Sequence, residues 1–149
     1  MAQPGCREIV LLNSTLTTST NSGDMVMPQG FTSAIVTVNV NTVSGTSPTM
    51  SVYIQNKLPQ AAAGDLSGGP ASGTAIYDDL MSFAQVSTSS TIQVARIVGG
   101  SNVMHAQQDA ALGAGSFALG PIGGTWRVKT VLAGTSPSFA TSVVCEFIP

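Results

Sequence analysis

Residues 34–55 read AIVTVNVNTVSGTSPTMSVYIQ, and this stretch decides the fold class. Ala34, Val36, Val38 and Val40 alternate with Ile35, Thr37, Asn39 and Asn41. Side chains two apart share a side of an extended chain, so the small apolar set faces inward and the other outward on a half-buried strand. Met50, Val52 and Ile54 then alternate with Ser51, Tyr53 and Gln55. Between the runs stands Ser44-Gly45-Thr46-Ser47-Pro48, a cluster of turn-forming residues, and the whole predicts a β-hairpin.

The same design recurs toward the C-terminus. Trp126, Val128, Thr130 and Leu132 alternate with Arg127, Lys129 and Val131; Gly134-Thr135-Ser136-Pro137 follows; then Phe139, Thr141, Val143, Cys145 and Phe147 alternate with Ala140, Ser142, Val144 and Glu146. This predicts a second hairpin. In both, Gly accepts the positive φ of a tight turn, and Pro, which has no N–H to donate, begins the return strand. Weaker patterns predict strands over Glu8 to Leu16, with Val10, Leu12 and Leu16 on one face, over Leu80 to Val86, and over Thr91 to Val98, where Ile92, Val94 and Val98 oppose Gln93, Ala95 and Ile97. The expectation is an all-β, antiparallel β-sandwich or jelly-roll-like fold of about seven or eight strands. Leu58 to Thr74 and Gly99 to Gly124 read as long Gly/Pro/Ala-rich loops, with one helical turn at Gln107 to Leu112. Residues 1–7 form an N-terminal arm and residues 8–149 a single domain.

Composition narrows the function. Only 8% of the 149 residues are charged, against about a quarter in an average domain, so Ser, Thr, Asn, Gln and Gly must wet the surface. Five Lys and Arg against seven Asp and Glu build no basic patch, which argues against nucleic acid as a partner. Two Cys and one His lack the count and spacing of a structural zinc site. The absence of a long apolar run or a leader-like start argues against a membrane and for a chain made in the cytoplasm. Cys6 and Cys145 lie near opposite ends: two small buried thiols, or a disulfide closed after release into an oxidising medium.

Candidates for chemistry are few. Asp78-Asp79, with Asp65 or Asp109, offers carboxylates to a hard cation or is a solvated turn. His105 has no nucleophile elbow or Cys partner to serve as a base. Gly99-Gly100-Ser101 and Gly113-Ala114-Gly115 lack the Lys-Ser/Thr ending of a phosphate cradle. The expectation is no enzyme, no metal and no cofactor. Trp126, beside Arg127 and Lys129, is a lid on the core or an anchor for a sugar or protein partner. Partner contacts are assigned to Ala2, Gln3, Pro4 and Gly5 of the arm, to Leu58 and Pro59, and to Trp126 and Arg127.

Five segments carry a family likeness: Ile76-Tyr77-Asp78-Asp79-Leu80; Ser82-Phe83-x-Gln85-Val86; Asp109-Ala110-Ala111-Leu112; Trp126-Arg127-Val128-Lys129; and Gly134-Thr135-Ser136-Pro137-Ser138-Phe139. Together with the Gly45 region, they resemble the capsid decoration, or cement, proteins of tailed bacteriophages. The resemblance implies a β-sandwich on the outer surface of the expanded head, bound to the major capsid protein, self-associated as a trimer or sometimes a dimer, with no catalytic residues. The alternatives are a neck, tail-completion or minor tail protein, and a carbohydrate-binding module using Trp126 with Tyr53 or Tyr77.

Overall fold

A computed structural model of the protein describes residues 5–57, 77–98, 115 and 124–149. Ala2, Gln3, Pro4, Leu58, Pro59, Asp65, His105, Asp109 and the helical turn at Gln107 to Leu112 lie outside the described residues. Within them run seven strands: β1 (Arg7–Leu16), β2 (Thr20–Asn21), β3 (Met25–Val26), β4 (Ser33–Lys57), β5 (Tyr77–Ser82), β6 (Thr91–Val98) and β7 (Thr125–Ile148). The protein is all-β, and every pairing is antiparallel.

The two predicted hairpins are in fact two single long strands. β4 and β7 pair with each other along their whole length, from Ser33 opposite Ile148 to Asn56 opposite Trp126, and the two Gly-Thr-Ser-Pro motifs meet at the middle. There Ser44 faces Ser138, Thr46 faces Thr135 and Thr49 faces Ala133. Ser136 and Pro137 thus bulge opposite Gly45, and Ser47 and Pro48 bulge opposite Gly134. Each Pro sits where the ladder needs no N–H, and each Gly where the chain turns left-handed, with φ of 116° at Gly45 and 109° at Gly134. Ser47 and Ser136 share φ of 49°, so the bulges are alike and related by a local twofold through the Thr46/Thr135 pair. A Cβ on Gly45 would lie 2.7 Å from the Ser136 carbonyl oxygen, and one on Gly134 2.7 Å from that of Ser47.

At these bulges the sheet folds double. Trp126 and Phe147 belong to the same strand, 21 positions apart, which is about 70 Å in an extended chain. Their rings nevertheless meet with centroids 5.8 Å apart. The Thr141 hydroxyl likewise reaches the Met50 sulfur at 3.8 Å, between halves that a straight strand would separate. One layer therefore holds β1, the second half of β7, the first half of β4 and β6; the other holds β2 and β3, the first half of β7, the second half of β4 and β5. The result is a β-sandwich made from one folded sheet.

Between the layers lies the core expected from the alternation. Val36, Val38, Val40, Met50, Val52, Ile54, Trp126, Val128, Phe139, Val143, Cys145 and Phe147 are all buried. Two strands depart from their patterns: β6 turns its apolar set, Ile92, Val94 and Val98, outward and buries Ile97 instead, and β1 carries a bulge. β1 slips register between Val10 and Leu12, and this bulge turns Leu11 into the core and leaves Val10 on the outer face, away from Leu12 and Leu16. At the end opposite the bulges, residues 27–32 cross between layers: Met27 donates its N–H to Gly124 at 2.8 Å and Thr32 to Ile148 at 3.0 Å.

Gly45→Ala and Gly134→Ala are each expected to destabilise by about 2 kcal/mol or more, since both backbone conformation and space forbid the Cβ. Gly30→Ala, also at positive φ but with nothing within 4 Å, should cost about 1 kcal/mol. Urea midpoints at unchanged m report the difference.

Candidate interaction surfaces

The outer face of the second layer gathers both tyrosines and three of the five basic residues of the chain. Strand alternation puts Tyr53, Gln55 and Lys57 of β4 outward beside Lys129 and Arg127 of β7, with Tyr77 and Asp79 of β5 on the other side. Asp24, between β2 and β3, accepts from Lys57 Nζ at 2.8 Å and from the Tyr77 hydroxyl at 2.8 Å and 3.0 Å. The Arg127 guanidinium lies 3.3 Å from the centre of the Tyr77 ring, and its Nε donates to Gln55 Oε1 at 2.8 Å. Gln55 Nε2 in turn donates to Asp79 Oδ1 at 2.6 Å in a buried contact. Lys129 Nζ stands 5.5 Å from the centre of the Tyr53 ring.

This network ties β5, β4, β7 and the β2–β3 segment together across the face. Hydrogen bonds from Lys57 and then Tyr77 hold the Asp24 carboxyl below its ordinary range, and Asp24 raises the Lys57 ammonium. Both side chains remain partly exposed, so the ion pair is screened and contributes little by itself. The arrangement braces a surface: it juxtaposes no nucleophile and base, and Arg127 and Asp79 are already engaged.

The predicted contact residues separate. Trp126 is a lid on the core, 1% exposed and packed on Phe147, so its ring is closed to a sugar or a protein partner. Its neighbour Arg127 points the opposite way into the outer network, and Gly5 is exposed beside Pro149. Asp78 and Asp79 stand on β5 and not in a turn, and adjacent strand positions face opposite ways. Among the described residues, no three His, Cys, Asp or Glu side chains group as metal ligands. The hollow between β5 and β6, lined by Phe83, Gln93, Ala95 and Gly115 among others, carries no charged side chain among the described residues.

Both cysteines are free. The register places Cys6 beyond the Arg7–Phe147 pair, about three positions or roughly 10 Å along the ladder from Cys145, too far for a disulfide. Burial pushes the Cys145 thiol up to about 12. The chain matches no protein-family model, no curated protein and no solved structure.

Two outcomes are expected. At pH 8 a thiol reagent should titrate Cys6 alone in the folded protein and both cysteines in denaturant. Above the ordinary thiol value of 9.0 the unfolded chain releases a proton that folded Cys145 retains, so its contribution to stability declines between pH 9.0 and about 12. Separately, Trp126→Ala should cost about 3–5 kcal/mol by opening the core. Arg127→Ala, which removes a ring contact and a hydrogen bond at the surface, should cost about 1–2 kcal/mol; chemical denaturation separates the two.

Proposed function

We propose that the protein is a structural component of a tailed-bacteriophage virion. In this reading it is a self-associating decoration module that binds the outer surface of the head and cements the major capsid protein. The reading rests on the family resemblance. It is supported by where three of the resembling segments fall in the fold. Gly134-Thr135-Ser136-Pro137 forms one of the two bulges at which the sheet doubles. Trp126 and Val128 fill the core while Arg127 and Lys129 brace the outer face. Phe83 and Val86 hydrogen-bond by their backbones to Val52 and Met50 and carry the β5–β6 segment past the fold. The likeness thus falls on residues that build the sandwich.

A surface wetted mainly by uncharged polar side chains, in a chain that is only 8% charged, suits contact with a broad protein partner. Such a surface crowds on a shell with little mutual repulsion, and weak contacts multiply over many symmetry-related copies. No chemistry is performed in this reading and no cofactor is used. The carbohydrate-binding alternative loses Trp126 to the core and one face of Tyr77 to Arg127.

Purified protein added to expanded heads lacking it should co-sediment with them, at a copy number that is a simple fraction of the major capsid protein. Failure to bind would overturn the reading, and a copy number of a few per cent of the major capsid protein in whole virions would move it to the neck or tail.

A further inference from the structure

The outer face of the first layer differs from that of the second: exposed valines and isoleucine stand among uncharged polar residues, and its charges are arranged in one row. Because directly opposed residues of antiparallel strands point the same way, the registers define rows across β1, β7, β4 and β6. One row is Glu8, Glu146, Ile35 and Arg96; the next is Val10, Val144, Thr37 and Val94; the next is Asn13, Ser142, Asn39 and Ile92. Val10 is 48% exposed, Val94 63% and Ile92 65%, with Val98 at 59% farther along β6. Glu8 and Glu146 are direct cross-strand neighbours of like charge, an unfavourable pair, while Arg96 stands at the far end of their row. Among the described residues the single salt bridge is Lys57–Asp24, on the other layer.

We propose that this face is a twofold interface between two copies of the chain, with the symmetry axis lying in the interface parallel to the strands. That operation lays each row on itself reversed. Arg96 of each copy then meets Glu8 of the partner subunit, next to its Glu146, and Val94 meets Val10 of the partner subunit. The central Val144 packs on the partner's Thr37. The opposite choice, an axis across the strands, would set Arg96 against the partner's Ile92 and the glutamates against Asn13 and Ser142 of the partner subunit, leaving three unpaired charges on each copy in the contact. The charge row therefore selects both the partner, a second copy, and the axis. Stacked sheets cross at about 30°, an offset at the rim that the long Arg and Glu side chains can span. Four strands at about 4.8 Å spacing and eight residues at about 3.3 Å give a planar footprint of about 500 Å² per copy. That footprint lies at the low end for a stable association and predicts a reversible dimer.

This deepens the self-association in the function proposed above and rests on that part alone. It favours a dimer over a trimer.

Sedimentation equilibrium of the full chain, from about 1 µM to about 1 mM, covers the range in which a contact of this size dissociates. The wild type is expected to pass from the 15.1 kDa monomer to twice that mass. Glu8→Arg and Arg96→Glu should each weaken the dimer by about tenfold or more, because each juxtaposes like charges. Combining the two, which restores opposite charges in every facing pair, should return the dimer. That rescue excludes simple misfolding of the single variants. A wild type that stays monomeric, a trimer, a dimer indifferent to Arg96→Glu, or a double variant that stays apart would each overturn the proposal. A monomer that still coats heads would do so while leaving the function standing, and a dimer that ignores heads would do the reverse.

Discussion

The contact between the two Gly-Thr-Ser-Pro motifs is the constraint on which the rest of the structure depends. Each glycine takes the carbonyls of the opposite bulge where a side chain would stand, and each proline occupies a place where no ladder hydrogen bond is required. Two long strands are thereby kinked together, at the same height and in the same sense, and their partners must follow. Residues 7–26 shadow β7 along both halves, and residues 77–98 do the same for β4. The sandwich core is the space enclosed when these four tracks double back.

Much of the packing was legible because alternation is local. Ala34, Val36, Val38 and Val40, the Met50 set, the Trp126 set and the Phe139 set all point inward as their period of two requires. The bulged fold was not legible, for a specific reason. A hairpin turn and a strand corner ask for the same chemistry, glycine at positive φ and proline without a donor, and differ only in what the flanks pair with. The partner of residues 34–55 lies in residues 125–148, and no local pattern names it. The same ignorance of register hid the Tyr77–Arg127–Gln55–Asp79 network, whose members come from three strands. Val10 was misplaced because a one-residue bulge at Leu11 reverses every later side chain, and β1 carries no Gly or Pro to announce it. Trp126 was the most readable of the contested residues: it shares parity with Val128 and Thr130, both buried, whereas Arg127 has the opposite parity.

The two layers divide the surface by character. On one, oppositely charged and aromatic side chains satisfy one another within the chain, and the face is braced. On the other, valines and isoleucines stand exposed and the charges of one row lie apart. The sandwich thus has two chemically distinct outer faces, one braced by contacts within the chain and one whose charges are spread along a single row.

The order of strands in the sheet also governs how the chain reaches it. β1 pairs with β7, and Arg7 lies opposite Phe147, so among the described residues β1 finds its ladder partner about 140 positions away. β5 and β6 pair with β4 at shorter separation, whereas one edge of β4 and one edge of β1 stay unpaired until β7 joins them. Closing contacts of such sequence separation is slow, and exposed strand edges persist meanwhile. The two ladders that flank β7 therefore close only once β7 lies between β1 and β4.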